Sequence, residues 1–151
     1  MIKRVQEILI SCGWTTSRII DTSKYMRWYQ SEGYKPPFTI LEFLKEFGGL
    51  KMQIPRKNSH NKSDNISDIV ILCDPISNGF EAEFTEDYNT FFEVDMYPVA
   101  TSTTAPLDFF MDSTGAFYAM YGSIGAKWGN SFEEFILNIM DGNVSDLEKI
   151  C

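Results

Sequence analysis

The chain has 151 residues, of which 44% are hydrophobic and 23% are charged. This composition excludes an intrinsically disordered chain, and the length predicts a single domain over residues 1–151. The longest uninterrupted apolar run, Ala116–Tyr121, has six residues, whereas a membrane span needs about 20. The three cysteines, Cys12, Cys73 and Cys151, are far apart. Their spacing excludes a disulfide framework and a paired-cysteine metal site, and it favours a cytoplasmic location.

Charge is distributed unevenly along the chain. The net charge is −8, but residues 1–62 carry +6 and residues 63–151 carry −14. From Ser63 to Ala126 there are eleven acidic residues and no Lys or Arg. This segment is expected to give part of the surface a negative potential. Such a surface disfavours direct binding to nucleic acid or to a membrane, because those contacts depend on Lys and Arg, and it favours a basic partner protein.

Four segments have the apolar spacing of amphipathic helices. Their apolar faces are Val5, Ile8, Leu9 and Cys12; Tyr25, Trp28 and Tyr29; Ile40, Phe43, Leu44 and Phe47; and Phe132, Phe135, Ile136 and Ile139. Each pattern ends at glycine, as expected of helix C-termini, at Gly13, Gly33, Gly48-Gly49 and Gly142. Asp21 is the predicted N-cap of the second helix and Ser131 that of the fourth, where Glu134 completes a capping box.

Strands are predicted between the third and fourth helices. They are Lys51–Pro55, Ile69–Cys73, Met96–Ala100, Leu107–Met111 and Ala116–Tyr121. Asp112–Gly115 predicts a hairpin turn, because glycine can take the left-handed conformation that closes it. Arg56–Ser67 is expected to be a polar loop, and Gly122–Gly129 a loop that leads into the fourth helix. Consecutive strands flanked by helices predict an α+β fold with a mainly antiparallel sheet of about five or six strands.

Residues that commonly carry catalysis are sparse. The one histidine, His60, lies in the predicted polar loop without apolar neighbours to fix its position, so it is a poor general base. A zinc site or a Ser-His-Asp triad would depend on the same residue. Gly122–Gly129 contains a lysine but lacks the spacing of a phosphate-binding loop. The sequence therefore predicts no catalytic residue, no metal site and no cofactor, and an enzyme that acts through paired carboxylates is the least favoured hypothesis.

Aromatic residues lie among the acids of the second half of the chain, namely Tyr88, Phe91, Phe92 and Tyr97. Aromatic side chains inside a ring of charges are typical of protein interfaces. A short amphipathic turn that packs on the sheet explains the same aromatics equally well. The predicted partner-binding residues are Glu81, Glu83, Glu86, Asp87, Tyr88, Glu93 and Asp95.

Several motifs occur in an order that resembles a known family. They are Cys12-Gly13-Trp14 followed by Arg18, Phe43–Leu50 (FLKEFGGL), Pro98-Val99, Asp112–Tyr118 and Gly129–Glu134. Together they resemble the SUKH superfamily, which includes the Smi1/Knr4-like proteins, and most of all its SUKH-3 branch of bacterial immunity proteins. The resemblance extends over about residues 8–142.

The family motif residues are expected to be structural, and they are Gly13, Trp14, Arg18, Phe47, Gly48, Gly49 and Leu50. Gly48-Gly49 is expected to end the third helix in a left-handed conformation. Trp14 is expected to fill the core beside that turn, and Arg18 either to pair with a carboxylate or to cap carbonyl groups.

The resemblance implies a non-enzymatic immunity protein. Such proteins bind and neutralise a cognate toxin domain, often a nuclease or nucleic-acid deaminase of a polymorphic toxin system. The charge pattern agrees, since a nuclease presents a basic cleft that an acidic surface can cover. The alternative is a Smi1/Knr4-like regulatory scaffold that binds an endogenous protein. The oligomeric state is left open.

Overall fold

The computed structural model describes residues 1–56 and 68–150. Within these residues the chain forms six helices and seven strands. In chain order they are α1 Lys3–Ser11, α2 Ser23–Ser31, α3 Phe38–Phe47, β1 Lys51–Ile54, β2 Ile69–Leu72, α4 Pro75–Asn78, α5 Ala82–Phe92, β3 Met96–Ser102, β4 Asp108–Asp112, β5 Phe117–Tyr121, β6 Ile124–Gly129, α6 Phe132–Asp141 and β7 Glu148–Lys149. His60 and almost all of the predicted polar loop lie outside the described residues.

The strands form one antiparallel sheet in which neighbours in the sheet are also neighbours along the chain, from β1 to β7. The predicted hairpin joins β4 to β5, with Phe110 opposite Tyr118, and Gly115 has a φ of +96°. The register of β3 against β4 shifts between Pro98 and Ala100. The α+β class and the antiparallel sheet are therefore confirmed, with seven strands instead of five or six.

The sheet has helices on both faces, which divide the apolar side chains into two clusters. The larger cluster joins residues of α1, α2, α3 and α6 to one face of the sheet, and the smaller cluster lies under α5. Side chains of β4 alternate between them, since Phe109 and Met111 belong to the larger cluster and Phe110 to the smaller. Strands covered on both faces have continuous apolar runs, which explains the sequences of β4 and β5.

The four predicted helices are confirmed as α1, α2, α3 and α6. The cap of α2 differs by one residue: Thr22 is the N-cap, and the carboxylate of Asp21 accepts a hydrogen bond from the backbone N of Ser23 at 2.9 Å. At α6, the Ser131 hydroxyl accepts from the backbone N of Glu134 at 3.1 Å, as the capping box predicts. No helix in the described part of the chain is long and apolar enough to cross a membrane.

The prediction of a loop over Gly122–Gly129 was wrong, because residues 124–129 form β6. Its glycines are needed for packing. A Cβ on Gly129 would lie 2.6 Å from the backbone N of Phe135 in α6. The close approach of α6 requires glycine at this position. Because glycine has a low strand propensity, β6 could not be recognised from the sequence. The helices α4 and α5 were also missed, as was the two-residue β7.

Candidate partner-binding surface

The helix α5 carries most of the residues predicted to bind a partner, and its inner face fixes it to the rest of the molecule. Thr85, Tyr88 and Phe92 lie at i, i+3 and i+7 and face the protein. The Tyr88 hydroxyl donates to the Gly122 carbonyl at 2.6 Å, and the hydroxyls of Thr85 and Tyr34 are 2.5 Å apart. These contacts determine which side chains of α5 face solvent.

Six of the seven predicted partner-binding residues lie on the surface. The exposed carboxylates are Glu81, Glu83, Glu86, Asp87, Glu93 and Asp95. None of them forms an ion pair with Lys or Arg among residues 1–56 and 68–150. We call these six residues, together with the solvent-facing side of α5, the α5 surface. The structure thus brings the predicted acids together on one helix and its two flanks.

Tyr88 does not share this exposure. Its side chain is 3% exposed, and its ring lies 5.4 Å from that of Phe110 in an edge-to-face contact. Phe92 is half-buried, with its ring 5.0 Å from that of Tyr118. These two aromatics hold α5 on the sheet. Tyr88 therefore fixes the orientation of the α5 surface from the buried side of the helix and is not itself available to a partner.

Two exposed aromatic residues accompany the acids. Phe84 is 60% exposed and Phe91 is 42% exposed. Phe84 was not predicted, although a helical reading of residues 82–92 places it off the face defined by Thr85, Tyr88 and Phe92. The exposure of Phe84 was not predicted because α5 itself was not predicted. Its Thr, Asp, Asn and Phe residues are mediocre helix formers.

The α5 surface is locally unfavourable for folding. Glu83 and Asp87 are like charges four residues apart, a spacing that destabilises a helix. Glu93 caps the C-terminus of α5, where negative charge opposes the helix dipole. It is also the one residue other than glycine with a positive φ, +57°, in the described part of the chain. Departures from such local rules, compensated elsewhere in the fold, are expected at functional sites.

A concavity of about 390 Å³ lies between α5 and the start of β3. Its lining includes Glu86, Asp95, Tyr97 and Lys35. Burial and the negative charge of Asp95 both raise the pKa of Tyr97. The hydroxyl is protonated at neutral pH as in any tyrosine, and the raised pKa keeps it protonated at more alkaline pH.

The family motif residues meet at the C-terminus of α3. The Arg18 guanidinium donates to the carbonyls of Glu46 at 2.5 Å and Gly48 at 2.8 Å, so Arg18 caps carbonyl groups and forms no ion pair with a carboxylate of the described residues. Trp14 is 5% exposed, donates to the Glu46 carboxylate at 2.9 Å and stacks on Phe47 with ring centroids 6.5 Å apart. These residues connect the turn after α1 to α3.

The glycine pair that follows α3 was predicted to be left-handed, but only Gly49 is, with a φ of +83°. Gly48 has a φ of −57° and is glycine for another reason. A Cβ there would lie 2.5 Å from the Leu44 carbonyl oxygen and 2.9 Å from the Tyr25 ring. Leu50 is buried, and its carbonyl accepts from the Cys73 backbone N at 2.9 Å. Gly13 also has a positive φ, of +102°.

Two groups outside α5 that could be reactive, Cys73 and Asp112, have structural roles. Burial raises the pKa of the Cys73 thiol to about 12, which leaves it protonated and a poor nucleophile. The buried Asp112 carboxylate accepts hydrogen bonds from the Thr114 backbone N at 2.8 Å and the Tyr118 hydroxyl at 2.8 Å. Among residues 1–56 and 68–150, no three His, Cys, Asp or Glu side chains are grouped closely enough to hold a metal ion.

Comparison with known families agrees with the motif order. The profile of the SUKH-3 immunity protein family matches residues 1–142. The chain belongs to the SUKH-3 immunity protein family. The matched region runs from α1 to the C-terminal cap of α6, so it includes both the motif residues at α3 and the α5 surface. Family membership implies an immunity function and a toxin protein as the partner. No curated protein and no solved structure matches the chain.

Proposed function

We propose that this SUKH-3 protein acts in the bacterial cytoplasm, without catalysis of its own, by binding a basic toxin domain through the α5 surface. The toxin domain is a nuclease or a nucleic-acid deaminase of a polymorphic toxin system. Such an enzyme needs a cationic surface to hold its nucleic acid. An immunity protein that covers this surface blocks access to the substrate.

The observation that supports this function is the set of six exposed carboxylates without an ion-pair partner among the described residues. They are concentrated between Glu81 and Asp95, within a stretch of chain that has no Lys or Arg from Ser63 to Ala126. A one-sided negative potential attracts a cationic partner and raises the association rate. Rapid capture protects the cell because a single free toxin molecule turns over repeatedly.

Growth rescue tests the proposed function. Co-expression of the chain with the toxin domain encoded beside its gene is expected to restore bacterial growth. A variant in which Glu83, Glu86, Asp87 and Glu93 are all replaced by Lys is expected to lose this protection, because the reversed charges repel a basic toxin.

The matched control changes the net charge equally but elsewhere. It replaces four exposed acids outside the α5 surface by Lys, namely Glu7, Glu42, Asp146 and Glu148. This control is expected to protect cells as the unmodified chain does. Failure of the unmodified chain to rescue growth, combined with capture of an endogenous regulatory protein, would favour the Smi1/Knr4-like scaffold instead.

A further inference from the structure

The solvent-facing side of α5 leaves two aromatic rings in water. Phe84 is 60% exposed and Phe91 is 42% exposed, although full burial of a phenylalanine side chain is worth about 1.5–3 kcal/mol. The domain has well-packed aromatic positions in the same region, such as Tyr88 and Phe110. The exposure of Phe84 and Phe91 is therefore not explained by the packing of the isolated chain.

The two rings have a carboxylate between them. Phe84, Asp87 and Phe91 lie at i, i+3 and i+7, so they share one side of the helix, with Asp87 in the middle. The Phe91 ring is held edge-to-face against Phe92 at a centroid distance of 4.9 Å. Phe92 in turn packs 5.0 Å from Tyr118 in the sheet. Phe91 is thus supported before a partner arrives, which lowers the entropy lost on binding.

An arginine side chain fits this arrangement. Its guanidinium is planar and can pair with a carboxylate while it stacks on an aromatic ring. A lysine ammonium is compact and strongly hydrated, so it would satisfy Asp87 but gain less from the rings. A second copy of this chain does not fit, because Glu83 and Asp87 of the two copies would face each other with like charges.

We propose that Phe84 and Phe91 anchor the partner on the α5 surface, and that the partner places an arginine against Asp87 between the two rings. This inference rests on the proposed function and specifies the chemistry of its interface. The surrounding acids attract the toxin domain and the rings retain it. Charge therefore governs association, whereas the aromatic anchors govern dissociation.

Binding kinetics with a catalytically inactive form of the toxin domain encoded beside the gene test the anchors. The double variant Phe84→Ala and Phe91→Ala is expected to raise the Kd by about 100-fold or more, mainly through faster dissociation. Phe38→Ala is the matched control, since Phe38 is a 74% exposed ring on α3. It is expected to change Kd by less than about threefold.

The partner's arginine is identified by replacing each arginine of the toxin domain with lysine in turn. One replacement is expected to weaken binding to the unmodified chain by about tenfold or more. It should have little further effect on the double phenylalanine variant, because residues in contact are non-additive. If the double phenylalanine variant binds weakly but no arginine replacement shows non-additivity with it, the assignment of arginine as the bound group is wrong.

The possible results distinguish a failure of this inference from a failure of the proposed function on which it rests. If the unmodified chain does not bind the toxin domain, the proposed function fails and the anchors fail with it. If the chain binds but the double variant binds equally well, only the anchors are overturned. Phe84→Ala alone provides a folding-neutral version, checked by its melting temperature. A dimer of the free chain that Phe84→Ala dissociates would assign the rings to self-association and overturn the inference.

Discussion

Asp112 is a single buried carboxylate on which the hairpin between β4 and β5 depends. One carboxylate oxygen accepts from the backbone N of Thr114 at 2.8 Å and of Ala116 at 3.1 Å, and the other accepts from the Tyr118 hydroxyl at 2.8 Å. Burial acts to raise the pKa of Asp112, but the hydrogen bonds from Thr114 and Tyr118 and from the backbone outweigh it and lower the pKa from 3.8.

Asp112→Asn is expected to destabilise the domain at neutral pH by about 1–3 kcal/mol, because several buried donors lose a charged acceptor. A carboxyl whose folded pKa is below its unfolded pKa stabilises above the unfolded value, and this contribution is lost as pH falls through the folded value. The stability gap between the variant and the unmodified chain should therefore narrow below about pH 4. Urea unfolding between pH 3 and pH 7 measures the gap.

Asp108 on the same strand provides a control of opposite sign. Burial raises its pKa, although a hydrogen bond from the Thr101 hydroxyl at 2.8 Å opposes the shift. A carboxyl with a raised folded pKa destabilises the fold as it ionises, so Asp108→Asn should gain stability relative to the unmodified chain as pH rises. Parallel pH trends in Asp112→Asn and Asp108→Asn would contradict this account.

At the scale of the element, the turn after α3 depends on two glycines for two different physical reasons. Gly48→Ala is expected to be the more destabilising change, by about 1–3 kcal/mol, because its Cβ would overlap the Leu44 carbonyl and the Tyr25 ring. Gly49→Ala places a Cβ at ordinary van der Waals distance, 3.8 Å from the Arg18 guanidinium, but in a left-handed conformation, at a cost of about 1–2 kcal/mol. Thermal unfolding of both variants tests the order.

Gly13→Ala is the matched control for backbone strain, because Gly13 has a φ of +102° and nothing lies within 4 Å of the added Cβ. It should behave like Gly49→Ala. A Gly48→Ala variant as stable as Gly49→Ala would show that the loop after α3 relaxes without cost and that the packing argument is wrong.

The helix α5 could not be predicted from its own sequence, because contacts with distant residues stabilise it. It has eleven residues, and isolated helices shorter than about 12–15 residues are marginal in water. Its stability comes from distant partners, namely the Tyr88 contact with Gly122 and the Thr85 contact with Tyr34. By contrast, α3 places four large apolar side chains at ideal helical spacing, so its own sequence predicts it.

At the scale of the whole molecule, the uneven charge distribution determines how a partner approaches. The association rate with a basic toxin domain is expected to fall by about tenfold or more between 20 mM and 500 mM salt, because the Debye length shortens from roughly 20 Å to about 4 Å. The variant in which Glu83, Glu86, Asp87 and Glu93 become Lys should associate slowly at low salt and lose the salt dependence. Stopped-flow or surface-based kinetics measure both.

The melting temperature of that variant should remain close to that of the unmodified chain, since the four acids are exposed and form no ion pair with described residues. Unchanged association at low salt after the reversal would show that these carboxylates serve solubility alone. Equal slowing by the control reversal at Glu7, Glu42, Asp146 and Glu148 would instead assign the effect to net charge.

The amino-acid sequence was sufficient to predict the features that depend on local pattern. Helical spacing, glycine ends and the hairpin turn predicted the α+β class, and the motifs around Trp14 and Gly48-Gly49 predicted the SUKH-3 family, which the match over residues 1–142 confirms. It also determined the sign of the charge between Ser63 and Ala126. Each of these is readable because neighbours along the chain are sufficient to define it.

Which of these residues a partner can reach depends on the three-dimensional packing of the chain. Tyr88 and Phe91 are both aromatic residues among acids, yet Tyr88 is 3% exposed and Phe91 is 42% exposed. The difference arises because α5 presents one side to the sheet, where the Gly122 carbonyl and Phe110 receive Tyr88. The two rings are only three residues apart and lie on adjacent faces of the helix, so which of them is buried depends on residues that are far away in sequence.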